Sequence, residues 1–284
     1  MSELAKRVAF AVIAVPTVLA VVWLGGAPLA ALLALASAIG AWEFYRLAIP
    51  GGSVPLSGHG VLMSALVPLF VHARLLGLWA PSITILVLLV LELLTVALWL
   101  RGAPGKPLEA VGITILGVFY TGGMLSFAYG IRYHPYAVGA LAGASLVAMP
   151  LVLTWATDIG GLTFGRAFGR SKLMPSISPR KTVAGAVGGL AVAVALSVLY
   201  AHYALPPLAR LSMRWWGAVL FGVVVSVAAQ VGDLAESMLK REAGVKDSSH
   251  LIPGHGGMLD RMDSLLFTLP IGYSLLGWLL IPAP

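Results

Sequence analysis

The chain contains no cysteine. Disulfide staples, thiol nucleophiles and thiolate metal sites are excluded, and the redox state of the compartment leaves no mark on it. Charge is nearly as scarce, since only 10% of the 284 residues are Asp, Glu, Lys or Arg against roughly 25% in an ordinary soluble domain. Acidic residues number 11, so few that each asks for a reason. No repeat of fixed period and no low-complexity linker divides the chain. Sustained apolar–polar alternation, which a membrane barrel requires, is missing as well.

What is abundant is apolar surface, with 59% of residues hydrophobic. A helix needs about 20 such residues to cross a bilayer. Stretches of that kind run roughly over 8–24, 28–48, 60–79, 81–100, 108–130, 137–158, 183–203, 214–239 and 261–281. The expectation is an all-α polytopic membrane protein of about nine spans, forming a single domain over 1–284. The span over 60–79 is the weakest, because His72 and Arg74 interrupt it. Lys6 and Arg7 ahead of the first run imitate a secretory leader. The run is long for one and more spans follow it, so it reads as the first span.

The formal charge of +7 invites a nucleic-acid reading, but its distribution argues otherwise. With the N-terminus cytoplasmic, fourteen of the 18 Lys and Arg residues fall on inner segments, and only Arg74, Arg132, Arg210 and Arg214 lie outside. That bias supports the span count and turns the basic face toward the cytoplasm, to anionic lipid and nucleotide, and an inner (plasma) membrane is the expected setting. Two connections on that face, 158–182 and 237–263, are far richer in polar residues than the rest. Chemistry is expected in those two catalytic loops.

The second of them opens after Asp233 and Glu236, with Ser237 and Lys240 a further turn on. On a helix these four share one face. At its far end Asp260 and Asp263 again stand three apart, after the glycine turn 253–257. Carboxylates, lysines and a glycine turn are the ingredients of a cation-plus-phosphate site. A salt bridge from Asp233 to Lys240 or Arg241 is the plainer alternative, and juxtamembrane anchoring is the plainer role for Lys240, Arg241 and Lys246.

From Ser237 through Lys240-Arg241, Lys246-Asp247 and Pro253-Gly254-His255-Gly256-Gly257 to Asp260-Arg261-Met262-Asp263, the chain resembles the signature of the phosphatidate cytidylyltransferase (CDP-diacylglycerol synthase) family. A second patch, Ser178-Pro179-Arg180-Lys181-Thr182, is similar to the family's Ser-Pro-Lys-Lys-Thr. It departs at Arg180, and at Ala184, where the family often carries an acid or amide. The resemblance implies that CTP and phosphatidate give CDP-diacylglycerol and pyrophosphate with Mg²⁺, and a second cation is compatible with it. It favours Asp233 and Asp260 as metal ligands, with Asp263 beside them. Lys240 and Lys246 join them as catalytic groups. Substrate contacts are expected from Asp158, Arg166, Ser178, Lys181, Thr182, Ser237, Arg241, Gly254, His255, Gly256 and Arg261. His255 takes a positioning role, because a phosphate monoester with a second pKa of about 6 needs no base.

Gly161, Gly165 and Gly169 recur every fourth residue, which serves either close helix packing or close approach of backbone to a nucleotide. Glu92 stands alone in mid-span and suggests pairing between helices. Glu43, between Trp42 and Tyr45, reads as interfacial. His59, His72, His134, His202 and His250 lack metal-ligand spacing and read as structural. The partners expected are CTP, phosphatidate and membrane lipid, without nucleic acid, and a homodimer is left open. The rival readings are a CTP-dependent lipid kinase and, from a different class, a membrane transporter.

Overall fold

Long apolar runs become long helices. The computed structural model describes residues 3–79, 82–252 and 256–283. Its elements in chain order are α1 (Glu3–Leu24), α2 (Gly26–Ala48), α3 (Ser57–Leu75), α4 (Ile83–Leu100), α5 (Pro107–Gly117), α6 (Met124–Arg132) and α7 (Gly139–Phe168). The hairpin β1 (Lys172–Met174) and β2 (Ser178–Thr182) follows. After it come α8 (Val183–Leu199), α9 (Leu205–Ala209), β3 (Leu211–Met213), α10 (Trp215–Glu242), α11 (Leu259–Leu279) and β4 (Leu280–Pro282). A π-helical turn joins α5 to α6, and another joins α8 to α9. Among the described residues, eight helical segments are long and apolar enough to cross a membrane, and Val12–Leu24 is a shorter apolar helix. This is the all-α polytopic architecture expected. The weak third span holds because His72 and Arg74 fall in the last turn of α3, where cations meet the negative end of the helix dipole.

The chain divides into two units. The first comprises Met1–Val15, Gly26–Tyr129 and Leu239–Arg261. Its interior is arranged around Tyr45 of α2, whose hydroxyl donates to the Thr114 carbonyl at 2.8 Å. Gly60 of α3 and Gly117 of α5 lie against the ring, and a Cβ at either would overlap it. Leu93 and Ala97 of α4 join Leu56, Met63 and Val111 in a buried cluster. Most of the remaining α4 surface is apolar and exposed, including Leu86, Val87, Leu94, Leu98 and Trp99, which suits contact with lipid. Glu92 is not alone, because its carboxylate lies 3.5 Å from His59 Nε2 and links α4 to α3 as anticipated.

The second unit comprises Pro16–Gly25, Gly130–Met238 and Met262–Pro284. Its main seam is glycine against glycine. Gly160, Gly161 and Gly165 of α7 face Gly185, Gly188 and Gly189 of α8, and the two backbones approach so closely that a Cβ on Gly189 would lie 2.6 Å from the Thr157 carbonyl oxygen. Close approach of this kind holds helices together where lipid removes the hydrophobic drive. It also explains why α7 does not stop at Asp158, as the sequence suggested, but runs on to Phe168. The glycine-spaced stretch is a packing face first, and the connection shrinks to the β1–β2 hairpin. Buried hydroxyls add cross-links, Thr157 to Ser226 at 3.0 Å and Thr154 to Thr268 at 3.2 Å. Arg132 donates to the Val22 and Trp23 carbonyls at 2.7 and 2.9 Å, satisfying acceptors that the end of α1 leaves open. Burial holds the His134 imidazole, in the connection after α6, below its usual range and favours the neutral ring.

The seam makes a sharp prediction. Gly189→Ala places a methyl group against backbone that cannot yield, and is expected to destabilise by about 1–3 kcal/mol. Gly112→Ala in α5 meets nothing within 4 Å and is expected to be neutral or slightly stabilising. Thermal unfolding of both variants in detergent checks the contrast.

Candidate active site

In the second unit, Thr182 begins the construction. Its side chain caps α8, accepting from the Gly185 amide at 3.1 Å, a standard use of Thr at a helix start. That cap fixes β2 as it enters the helix and so places Arg180 and Lys181. Lys181 Nζ lies 2.6 Å from Asp233 Oδ2 of α10. Ser237, one turn further along α10, donates to Asp233 Oδ1 at 3.3 Å. The plain alternative for Asp233 was a bridge to Lys240 or Arg241. The bridge exists, but its partner is Lys181, more than 50 positions away in sequence.

Lys181 and Asp233 lie on the wall of a cavity of about 570 Å³. Asp158, Arg166, Arg180, Thr182 and Gln230 also line it, and Gly161, Gly165 and Gly185 bring backbone to its surface. Two carboxylates and three cationic side chains thus share one space. The Gln230 amide nitrogen donates to the Ala186 carbonyl at 3.2 Å and lies 3.4 Å from Ser226 Oγ. Of the expected site residues, the cavity gathers Asp158, Arg166, Lys181, Thr182 and Asp233. Ser178 is on the same strand but not on the cavity wall. Asp263 lies in the first turns of α11, where its carboxylate accepts from the Ser264 amide at 2.6 Å. Glu236 is fully buried.

A different polar cluster occupies the first unit. Lys240 Nζ lies 2.6 Å from Asp260 Oδ1, and both side chains are largely buried. Asp260 Oδ2 accepts from the Ser248 amide at 2.9 Å and the Gly257 amide at 2.8 Å. The Ser248 hydroxyl is also 2.9 Å from it. Gly256 has φ +80°, and a Cβ there would stand 2.8 Å from the same oxygen, so glycine is required twice over. Arg241 is exposed and donates to the Val245 carbonyl at 2.9 Å. Lys246 and Arg261 are exposed. Gly254 and His255 lie outside the described residues.

The residue that sequence reasoning misjudged is Glu43. It is not interfacial but fully buried. Each carboxylate oxygen takes one hydroxyl and one backbone amide. Oε1 accepts from Ser249 at 2.6 Å and the Met258 amide at 3.0 Å, and Oε2 from Ser248 at 3.0 Å and the Leu259 amide at 2.6 Å. The one available signal was an acid inside an apolar helix. Its partners stand more than 200 positions away, beyond any local pattern.

No three His, Cys, Asp or Glu side chains among the described residues form a ready metal cluster. Mg²⁺ rarely uses one. It is usually held by one or two carboxylates together with substrate phosphate oxygens and water. Asp158 and Asp233 on one cavity wall, with cations beside them for the phosphates, are a donor set of that kind.

The chain is similar in sequence to known proteins. The profile of the cytidylyltransferase family matches residues 5–279. A phosphatidate cytidylyltransferase of Haemophilus influenzae is 42% identical over 140 residues, 49% of this chain and 48% of that protein. The match to this relative thus spans about half its length. One from Brucella suis is 36% identical over 209 residues, 71% of this chain and 73% of the relative. One from Synechocystis is 30% identical over 295 aligned positions, 94% of each chain. With a family profile that covers nearly its whole length, and eight helices able to span a bilayer, the chain belongs to the cytidylyltransferase family.

Proposed function

We propose that this protein transfers the cytidylyl group of CTP to phosphatidate, producing CDP-diacylglycerol and pyrophosphate at the cytoplasmic face of the membrane. The observation that carries the reading is the cavity of the second unit, where Asp158 and Asp233 share a wall with Arg166, Arg180 and Lys181. A triphosphate brings several negative charges, and clustered cations in a partly enclosed space are what it needs. The relatives' names supply the acceptor lipid. The Lys and Arg bias supplies the orientation.

In the proposed reaction a phosphate oxygen of phosphatidate attacks the α-phosphorus of CTP. That P–O bond forms as the bond from the α-phosphorus to the β-phosphate oxygen breaks, and pyrophosphate leaves with the electron pair. The attacking phosphate is largely dianionic near neutral pH, so no side chain has to remove a proton or become covalently attached. Lys181, Arg166 and Arg180 offset the charge that gathers on the triphosphate. Asp233, steadied by Lys181 and Ser237, is the proposed ligand for Mg²⁺, with Asp158 beside it. When bound, the ion would polarise the α-phosphate and neutralise the departing pyrophosphate. The assignment of Asp260 and Asp263 as further ligands, and of Lys240 and Lys246 as catalytic groups, rests on the signature, as do the substrate contacts proposed for Ser237, Arg241, Gly254, His255, Gly256 and Arg261; the contact proposed for Ser178 rests on the second patch.

Purified protein supplied with phosphatidate, Mg²⁺ and CTP labelled at either the α- or the γ-phosphorus tests the reading. The expected result is α-label in a lipid product and γ-label in pyrophosphate. A γ-labelled lipid with release of CDP would identify a kinase instead, and lipid or ion flux without nucleotide turnover a transporter.

A further inference from the structure

We propose that Glu43 is the positioning residue of the signature stretch, a clasp through which α2 sets the place of Asp260 and, with it, of Lys240. The proposal rests on the transferase reading above, and it assigns a role to a residue outside the signature.

Glu43 belongs to α2, while the groups it holds all lie within 248–259. Its two oxygens are matched to four donors, two of them the adjacent backbone amides of Met258 and Leu259, where α11 starts. Those amides have no partner inside the helix, so a carboxylate there is favoured both by its hydrogen bonds and by the helix dipole. The fit is close, since a Cβ on Gly257 would lie 2.6 Å from both Glu43 oxygens. The chain must pass over the carboxylate as bare backbone.

The link to Asp260 is Ser248. Its hydroxyl is within hydrogen-bond distance of Glu43 Oε2 (3.0 Å) and Asp260 Oδ2 (2.9 Å), and its amide donates to Asp260 Oδ2. The Gly257 amide, next to the two amides that Glu43 holds, donates to that oxygen too. Among the described residues, each backbone donor to Asp260 is therefore either on a residue bonded to Glu43 or immediately beside one. Loss of the clasp releases both backbone donors to Asp260 Oδ2 together.

Glu43→Gln is the informative variant because it keeps the shape. Each oxygen of Glu43 faces a backbone amide that can only donate. An NH₂ group in either flip position therefore meets an N–H, and the arrangement cannot be satisfied. We expect kcat to fall about 10–100-fold, as for loss of a supporting partner of a functional group, with KM for CTP within about twofold. Ser248→Ala should also lower kcat, and the double variant should be little worse than the poorer single one, because the two act through one chain of contacts. Trypsin cleavage after the exposed Lys246 should accelerate at least about 10-fold in Glu43→Gln, the same order as the loss of support. Unchanged kcat per folded molecule overturns the proposal, as does a raised KM at constant kcat or strictly additive losses. Faster cleavage with normal turnover means a merely structural contact and also overturns it. The trypsin assay needs no turnover, so a failure of the transferase reading leaves it as the deciding test, and unchanged cleavage then removes the clasp itself.

Discussion

Purified Asp233→Asn protein is expected to transfer cytidylyl groups at least about 100-fold more slowly than the wild type, beyond what loss of a supporting partner typically costs. Asn keeps the shape and still accepts a hydrogen bond, but it removes the negative charge that pairs with Lys181 and that would hold the divalent ion. The folded protein should survive the change. About a third of the Asp233 side chain and a quarter of Lys181 are exposed, and ion pairs that reach solvent contribute only about 0–1 kcal/mol. Lys181→Ala tests the other half of the pair, and its main effect should be a raised KM for CTP. Initial rates over a range of CTP and Mg²⁺ concentrations, beside unfolding curves in detergent, separate the two expectations. Turnover within a few-fold of normal in Asp233→Asn would remove Asp233 from the metal assignment.

The second large effect concerns stability rather than turnover. The Lys240 and Asp260 side chains are only 11% and 6% exposed. Removing the charge of one member of a buried pair costs about 3 kcal/mol or more, because the other charge stays buried without compensation. Asp260→Asn is therefore expected to be both less stable and inactive. Adding Lys240→Met removes the stranded charge while Asn can still accept from the Ser248 and Gly257 amides. The double variant should recover much of the lost stability. It should recover none of the turnover, since its charges are the ones assigned to the reaction. Recovery of both would reduce the pair to scaffolding.

How far the sequence reaches differs between the fold and the site. The spans are legible because the bilayer demands length and apolarity, and both are properties of contiguous residues. What could not be read was the end of α7. Asp158 resembles a stop, yet the glycines beyond it pack against α8, and helix partners are invisible to a local pattern. Among the candidate residues, the two family-like patches named Lys181, Lys240 and Asp260, helical spacing added Asp233, and the structure shows how they pair. Asp233 turns to Lys181 and Lys240 to Asp260, so the helical spacing of Asp233 and Lys240 describes one face but not one ion pair. Glu43 shows the limit most clearly. A single acid in an apolar helix has no neighbour in sequence to explain it, and its four donors come from the far end of the chain.

The absence of cysteine makes the central claim, that CTP occupies the cavity of the second unit, directly measurable. Leu162 is exposed on the cavity wall, and Leu162→Cys introduces a single thiol. Its rate of maleimide labelling should fall about 10-fold at CTP and Mg²⁺ concentrations that saturate turnover, because a ligand that buries most of its own surface in a pocket covers the wall it touches, while Mg²⁺ alone leaves the rate unchanged. Labelling at the same rate with and without saturating CTP would contradict the account.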